Sequence, residues 1–254
     1  MIEPKIIKNI LHEVCNKLKS LKFNSEINYQ INGTQFKSNA DLLANEIIKS
    51  HLKKYSKYPI LSEEDKSSWR YIDSKLYWLI DPLDGTASYC EGFPGYVSQL
   101  CLMKNFRPIF GAIYAPEFNL FFHAKEGEGA FCNFEKLLNR SLDRKNLKLI
   151  DNYPKPNGVS KKVFKEFKCK EYIESGSLGL KISRVSDGYA DIFVKDVKTK
   201  IWDLAPGDIL LRELNSEIIN LKGERIDYSN LTIEDGIICT RNLELSNKIQ
   251  KYLS

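Results

Sequence analysis

Histidine is scarce in this chain of 254 residues: His12, His51 and His123 are its three, and they lie far apart. That spread gives little support to a zinc site or a histidine-based triad. The six cysteines (Cys15, Cys90, Cys101, Cys132, Cys169 and Cys239) are scattered and form no C-x-x-C pair. A chain of this length does not need disulfide staples, so reduced thiols are expected. No apolar run approaches the roughly 20 residues that span a bilayer, and the opening Met1-Ile2-Glu3-Pro4-Lys5 lacks a signal-peptide profile. The expectation is a cytoplasmic protein with no membrane partner. A concentrated basic stripe is also missing. The net charge is +5, and the nearest basic segment runs from Lys155 to Lys170. It reads as a solvated face, with a rim that attracts an anionic substrate as the alternative. A nucleic-acid polymer is therefore not an expected partner.

The chain is 43% hydrophobic and 28% charged, as ordinary globular proteins are. Ile6, Ile7, Ile10, Leu11, Val14, Leu18 and Leu21 recur at helical spacing and predict a helix over residues 3 to 21. A polar stretch with Gly33 as a turn follows. A second helix carries Leu42, Leu43, Ile47, Ile48 and Leu52, with Asp41 in its opening turn, where free N–H groups favour a carboxylate. The middle changes period. Leu76 to Ile80, Val97 to Met103, Ile109 to Ala115, Leu120 to Ala124 and Ala130 to Cys132 are short, apolar and separated by turn residues. They predict an antiparallel meander. Beyond Leu147 helices alternate with strands again: Val159 in a strand or loop, helices over 161–167 and 178–185, and a strand over 191–195. A helix over 202–214, with Pro206 placed in its first turn, strands over 217–221 and 236–240, and a last helix over 243–253 complete the pattern. We divide the chain into an N-terminal α+β lobe, 1–145, and a C-terminal α/β lobe, 146–254.

The most informative run is Trp78-Leu79-Ile80-Asp81-Pro82-Leu83-Asp84-Gly85-Thr86, where an apolar strand ends in two carboxylates. Glu63 and Glu64 follow Pro59-Ile60-Leu61-Ser62, and Asp203 follows Trp202 at the head of a helix. Each acid hangs from the end of an apolar element. Singly, each is explained as a cap, a turn or a surface charge; together they fit a polynuclear magnesium site, because gathered like charges stay ionised only when neutralised. Rival patterns fail on spacing. Counted from Asp81, an EF-hand loop would place ligands at Leu83, Gly85 and Gly92. Phosphatases with an aspartyl nucleophile carry D-x-D-G-T, whereas two residues separate these aspartates. The phosphate-cradling G-x-x-x-x-G-K-[ST] loop is absent.

Glu63-Glu64, Asp81-Pro82-Leu83-Asp84-Gly85-Thr86 and Trp202-Asp203-Leu204-Ala205-Pro206-Gly207 resemble, in order and spacing, three signatures of the inositol monophosphatase superfamily. Gly111 to Pro116, Gly127-Glu128-Gly129-Ala130-Phe131 and Gly188-Tyr189-Ala190-Asp191 resemble it too, so the likeness covers about Asp41 to Tyr228. It implies the layered αβαβα sandwich of this family and of sugar phosphatases, a mixed α+β and α/β architecture. It also implies a magnesium-dependent, lithium-sensitive phosphomonoesterase. By motif match, Glu63, Asp81 and the Leu83 carbonyl would hold one Mg2+. Asp81, Asp84 and Asp203 would hold a second, and Glu64 would lie behind them or help a third. Metal-activated water would attack phosphorus directly, oriented by Thr86 and its acidic partner Asp41, with Glu63 counted among the catalytic groups. Backbone N–H groups of Gly85 and Thr86 would grip the phosphate, and Ser177, Lys181 and Asp203 would lie near the substrate. A small phosphorylated substrate is the expected partner, and a homodimer is compatible with the likeness.

Two departures stand out. The family precedes the Asp41 position with D-x-S-P-V-T-x-A-D, where this chain has Asn32 to Asp41 with Ser38 in place of Thr and no Ser-Pro pair. Lys37 there reads as solvated, with a substrate contact as the alternative. The Gly-Gly that many members carry after the last signature helix is Glu213-Leu214-Asn215-Ser216. For the substrate, Pro59 to Asp65, Tyr77 to Asp81, Tyr114-Ala115-Pro116 and Ile226-Asp227-Tyr228 resemble the 3′(2′),5′-bisphosphate nucleotidase branch. Ala87-Ser88, Phe93-Pro94 and Gly129 to Asn133 lean toward inositol monophosphatases. The nucleotidase is the preferred expectation. A catalytically weak binding or regulatory protein on the same scaffold is the alternative of another class.

Overall fold

The apolar stripe Ile7, Leu11, Val14 and Leu18 is fully buried on helix α1 (Pro4–Phe23). It packs beside α2 (Asn39–Tyr55), whose Ala44, Ile48 and Leu52 complete the same layer. The computed structural model describes residues 2–23, 27, 29–32, 35–139 and 141–254. The turn assigned to Gly33, like the side chain of Lys37, lies outside the described residues. The stretch read as merely polar holds a two-stranded hairpin, Tyr29–Asn32 with Gln35–Ser38.

A seven-stranded sheet follows chain order: Ile60–Ser62, Leu76–Asp84, Val97–Lys104, Arg107–Ala115, Leu120–Lys125, Gly129–Cys132 and Glu135–Lys136. Its first pair is parallel and the rest are antiparallel, as the meander pattern predicts. Alternation sorts the faces: Trp78 and Ile80 join the layer of α1 and α2, while Tyr77 and Leu79 point the other way. The acid-bearing strand does not stop at Ile80. Asp81 pairs with Gln99 and Asp84 with Val97, so one extra residue bulges between them. Such a bulge accommodates Pro82, which has no N–H for the ladder.

Helices α5 (Leu178–Ser186) and α6 (Ile201–Arg212) fill the space behind this sheet. A four-stranded sheet lies beyond them, in the order Glu171–Glu174, Lys148–Asp151, Ile192–Lys195, Ile237–Thr240. Its first three strands are parallel and the last antiparallel. Ile192, Phe193 and Val194 are buried on both faces, as expected for a covered parallel sheet. Helices α4 (Gly158–Glu166) and α7 (Leu243–Leu253) close the outside. The layers therefore run αβαβα. The short α3 (Thr86–Glu91) follows the acid motif.

Three expectations need correction. Val159 belongs to α4, because Asn157 caps that helix one turn earlier than the apolar pattern suggests. Residues 217–221 form no strand: Ile219 makes isolated bridges, and Asn220 closes a turn by accepting from Lys222 and Glu224 N–H. Pro206 is the sixth residue of α6, not part of its first turn. Among the described residues no helix is long and apolar enough to cross a membrane.

Candidate active site

Four acids converge from three separate elements. Glu63 leaves the end of the parallel strand Ile60–Ser62, its N–H donating to the Ile80 carbonyl at 3.2 Å. Asp81 and Asp84 come from the neighbouring bulged strand, and Asp203 from the first turn of α6. One carboxylate oxygen each of Glu63, Asp81 and Asp203 lies within 4.8 Å of the others. Asp84 sits beside them with both oxygens turned to the start of α5: Oδ2 accepts from Gly179 N–H at 2.6 Å and Oδ1 from Leu178 N–H at 3.3 Å.

This concentration of charge shows in the proton affinities. Burial, then the charges of Glu64, Asp84 and Asp41, pushes Glu63 up to about 8. Burial and then neighbouring carboxylates hold Asp81 and Asp203 well above the usual range. Asp84 is raised by burial, against the pull of Gly179 N–H and Lys181. A site that must ionise several such oxygens together fits a hard divalent cation, which takes oxygen ligands only. Leu83 N–H donates to Asp81 Oδ1 at 3.1 Å, and its carbonyl oxygen lies 3.2 Å from Thr86 Oγ1. Glu64, next to Glu63, donates its N–H to Ser62 Oγ at 3.2 Å.

Thr86 and Asp41 meet although Asp41 belongs to α2: Thr86 Oγ1 donates to Asp41 Oδ1 at 2.9 Å. The other oxygen, Oδ2, receives both the N–H (2.7 Å) and the hydroxyl (2.6 Å) of Ser38, a capping box that fixes the carboxylate. The altered segment before Asp41 thus keeps a hydroxyl where one is used. Burial raises the Asp41 pKa, opposed by its bonds from Ser38 and Thr86. Gly85, between Asp84 and Thr86, has φ of +91° and lies so close to Ser177 that an added Cβ would stand 3.1 Å from Ser177 Cβ. Only glycine suits that position.

Gly85 and Thr86 line one cleft of about 610 Å³, with Glu63, Asp81, Leu83, Asp84 and Asp203 on one side. Ser177 lines it too, its hydroxyl accepting from Leu180 N–H as the cap of α5. Lys181 is buried at the edge of the cleft, donating to the Gly176 carbonyl at 2.6 Å, and burial pushes its ammonium down to about 8. The lysines of the 155–170 segment are not among the cleft's described residues; Lys161, Lys162 and Lys165 are exposed on α4.

Sequence reasoning missed Gln99. Its Nε2 lies 3.4 Å from Asp81 Oδ2, 3.4 Å from Asp84 Oδ2 and 3.1 Å from the Trp202 carbonyl. That carbonyl is available because Pro206, four residues on, has no N–H to bond it. The available signal was a glutamine, next to Ser98, inside the largely apolar run Val97 to Met103. Asn152, Glu174, Lys195 and Lys198, on the opposite wall, were also missed, since they carry no local motif.

The chain is similar to known proteins over most of its length. The pattern of the inositol monophosphatase family matches residues 5–253. The Nus factor SuhB of Xylella fastidiosa (strain Temecula1 / ATCC 700964) is 31% identical over 226 residues, covering 85% of this chain and 78% of that protein. The 3′(2′),5′-bisphosphate nucleotidase CysQ of Escherichia coli (strain K12) is 29% identical over 202 residues, covering 75% and 78%. Among solved structures, an IMPase/NADP phosphatase complexed with Mg2+ and phosphate has the same fold, with a TM-score of 0.82 at 23% identity, covering 96% of this chain and 93% of that one.

Proposed function

Because the chain belongs to the inositol monophosphatase family, we propose that it is a magnesium-dependent phosphomonoesterase. Its preferred substrate is a 3′(2′),5′-bisphosphate nucleotide such as phosphoadenosine phosphate. The observation that carries this reading is the meeting of Glu63, Asp81 and Asp203 within 4.8 Å, next to Asp84 and the Thr86–Asp41 hydrogen bond. Glu63, Asp81 and the Leu83 carbonyl would hold one Mg2+; Asp81, Asp84 and Asp203 a second. Glu64 would lie behind them or help a third. When bound, magnesium supplies the positive charge that neutralises ester oxygens and acidifies water.

The chain's own groups then account for orientation and proton handling. Thr86 gives its hydroxyl proton to Asp41, which leaves the Thr86 oxygen as an acceptor for the attacking water. Asp41 stores the proton that this relay releases. The water oxygen forms the new bond to phosphorus as the ester P–O bond breaks, and the departing alcohol takes a proton from solvent. No phosphoenzyme forms. Backbone N–H groups of Gly85 and Thr86 hold the phosphate, with Ser177, Lys181 and Asp203 at the substrate's side.

The relative named CysQ supports the nucleotidase reading. Inositol 1-phosphate is the alternative substrate, supported by the Phe93-Pro94 and Gly129 to Asn133 segments. The relative named Nus factor favours a second class, a binding or regulatory protein on this scaffold. Retention of every main acid argues for the hydrolase. Phosphate release in magnesium decides: kcat/KM compared for phosphoadenosine phosphate, inositol 1-phosphate and fructose 1,6-bisphosphate should be highest for the first. Release from none of them would leave the binding protein.

A further inference from the structure

The wall of the cleft facing the acids is built from one end of the smaller sheet. Lys148–Asp151, Glu171–Glu174 and Ile192–Lys195 are parallel, and their C-terminal ends deliver Asn152, Glu174 and Lys195 to the cleft. The first of these strands in the chain lies between the other two, which puts the chain-reversal point between Lys148–Asp151 and Ile192–Lys195. Open parallel sheets bind ligands in the crevice outside the C-terminal ends at such a point. Here the pair that marks it is Asp151 and Lys195.

Lys195 is set up as a fixed donor. Its Nζ lies 3.1 Å from Asp151 Oδ1, with the two side chains 13% and 2% exposed. It also donates to Asn152 Oδ1 and stands 4.8 Å from the centre of the Tyr153 ring. Asp151 is anchored in turn by the Ser160 hydroxyl at 2.9 Å. An ammonium has three donors; two are taken, leaving a third for a group in the cleft that Lys195 lines. Lys198, exposed on the same wall, is paired with Glu234, and Glu91 and Glu174 at the rim are exposed, which leaves Lys195 as the cation fixed on this wall.

We propose that Lys195, held by Asp151 and Asn152, recognises a second anionic group on the substrate: a phosphate remote from the ester that is cleaved. The proposal rests on the phosphomonoesterase reading and narrows it to doubly charged esters.

The test compares adenosine 3′,5′-bisphosphate with adenosine 3′-monophosphate, which keeps the ester and lacks the remote phosphate. Losing a charge-assisted hydrogen bond corresponds to roughly a ten- to hundredfold loss. Lys195→Met should lower kcat/KM for the bisphosphate by about that factor, chiefly through KM, and at least about fivefold more than for the monophosphate. Lys195→Arg should recover most of the loss. Equal losses on the two substrates, or none on the bisphosphate, overturn the proposal. Calorimetric titration with adenosine 5′-monophosphate, against adenosine, reads the same subsite without metal or turnover. Wild-type protein should prefer the phosphorylated ligand and Lys195→Met should not; a wild type without that preference overturns the subsite. Wild-type protein that cleaves neither ester refutes the nucleotidase reading instead, and the titration still judges Lys195.

Discussion

Thr86 Oγ1 stands 2.9 Å from Asp41 Oδ1 across 45 residues of sequence, and Ser38 occupies the other carboxylate oxygen. A hydroxyl with its proton committed to a fixed carboxylate is an acceptor for a water proton. Asp41→Asn would remove the proposed proton store while keeping the shape. It should lower kcat about 10²- to 10⁴-fold with KM changed only a few-fold. Steady-state kinetics on the best ester checks this, and an unchanged kcat removes Asp41 from the chemistry.

Asp84 stands beside the acid cluster, and both its oxygens receive the first N–H groups of α5. Asparagine retains an acceptor for the helix but not the charge. Asp84→Asn should therefore fold normally by circular dichroism and lose at least about 10²-fold in kcat. Activity within a few-fold of wild type would contradict its place in the metal set.

Stripping divalent ions should cost stability as well as activity. A ligand that binds only the folded state stabilises it by about 2.7 kcal/mol at a hundredfold excess over Kd. Scanning calorimetry of chelator-treated protein should show Tm rising by several degrees on adding magnesium, with a smaller rise in Asp84→Asn. Lithium chloride, against a sodium control, should inhibit turnover. Insensitivity would set this site apart from the family it resembles.

Asp208, away from the cleft, offers a pH test. Burial pushes it up to about 6, although it accepts from Ile218 N–H at 3.0 Å and lies near Arg212. A carboxyl whose folded pKa exceeds its unfolded value stabilises fully below the unfolded value and loses that contribution as pH rises through the folded one. The shift from 3.8 to about 6 corresponds to about 3 kcal/mol lost between roughly pH 4 and 7. Urea unfolding across that range should show the stability difference between wild type and Asp208→Asn drifting by this order. A constant difference would mean that Asp208 does not titrate in the window.

Periodicity made α1 and α2 legible, because each buries one face, and the meander showed as short apolar runs between turns, because its sheet is covered on both sides. The acids were legible through three short patterns, Glu63-Glu64, Asp81 to Thr86 and Trp202 to Gly207, each of which is local. What escaped was set by tertiary context. The strand through Asp84 continues past Pro82 because a bulge absorbs the proline. Residues 217–221 have a strand's composition but spend their polar groups on the Asn220 turn. Lys195 reads as an ordinary lysine after an apolar strand; only the parallel pairing of distant strands brings it to Asp151.

Pro206 gives α6 a broken rung, and the carbonyl left behind at Trp202 anchors Gln99, whose amide spans Asp81 and Asp84. A residue with an amide hydrogen at position 206 would compete for that oxygen. The spacing of two acids on a sheet is thereby tied to an omission in a helix beneath them, so the acid cluster can be slackened from below without altering any carboxylate in it.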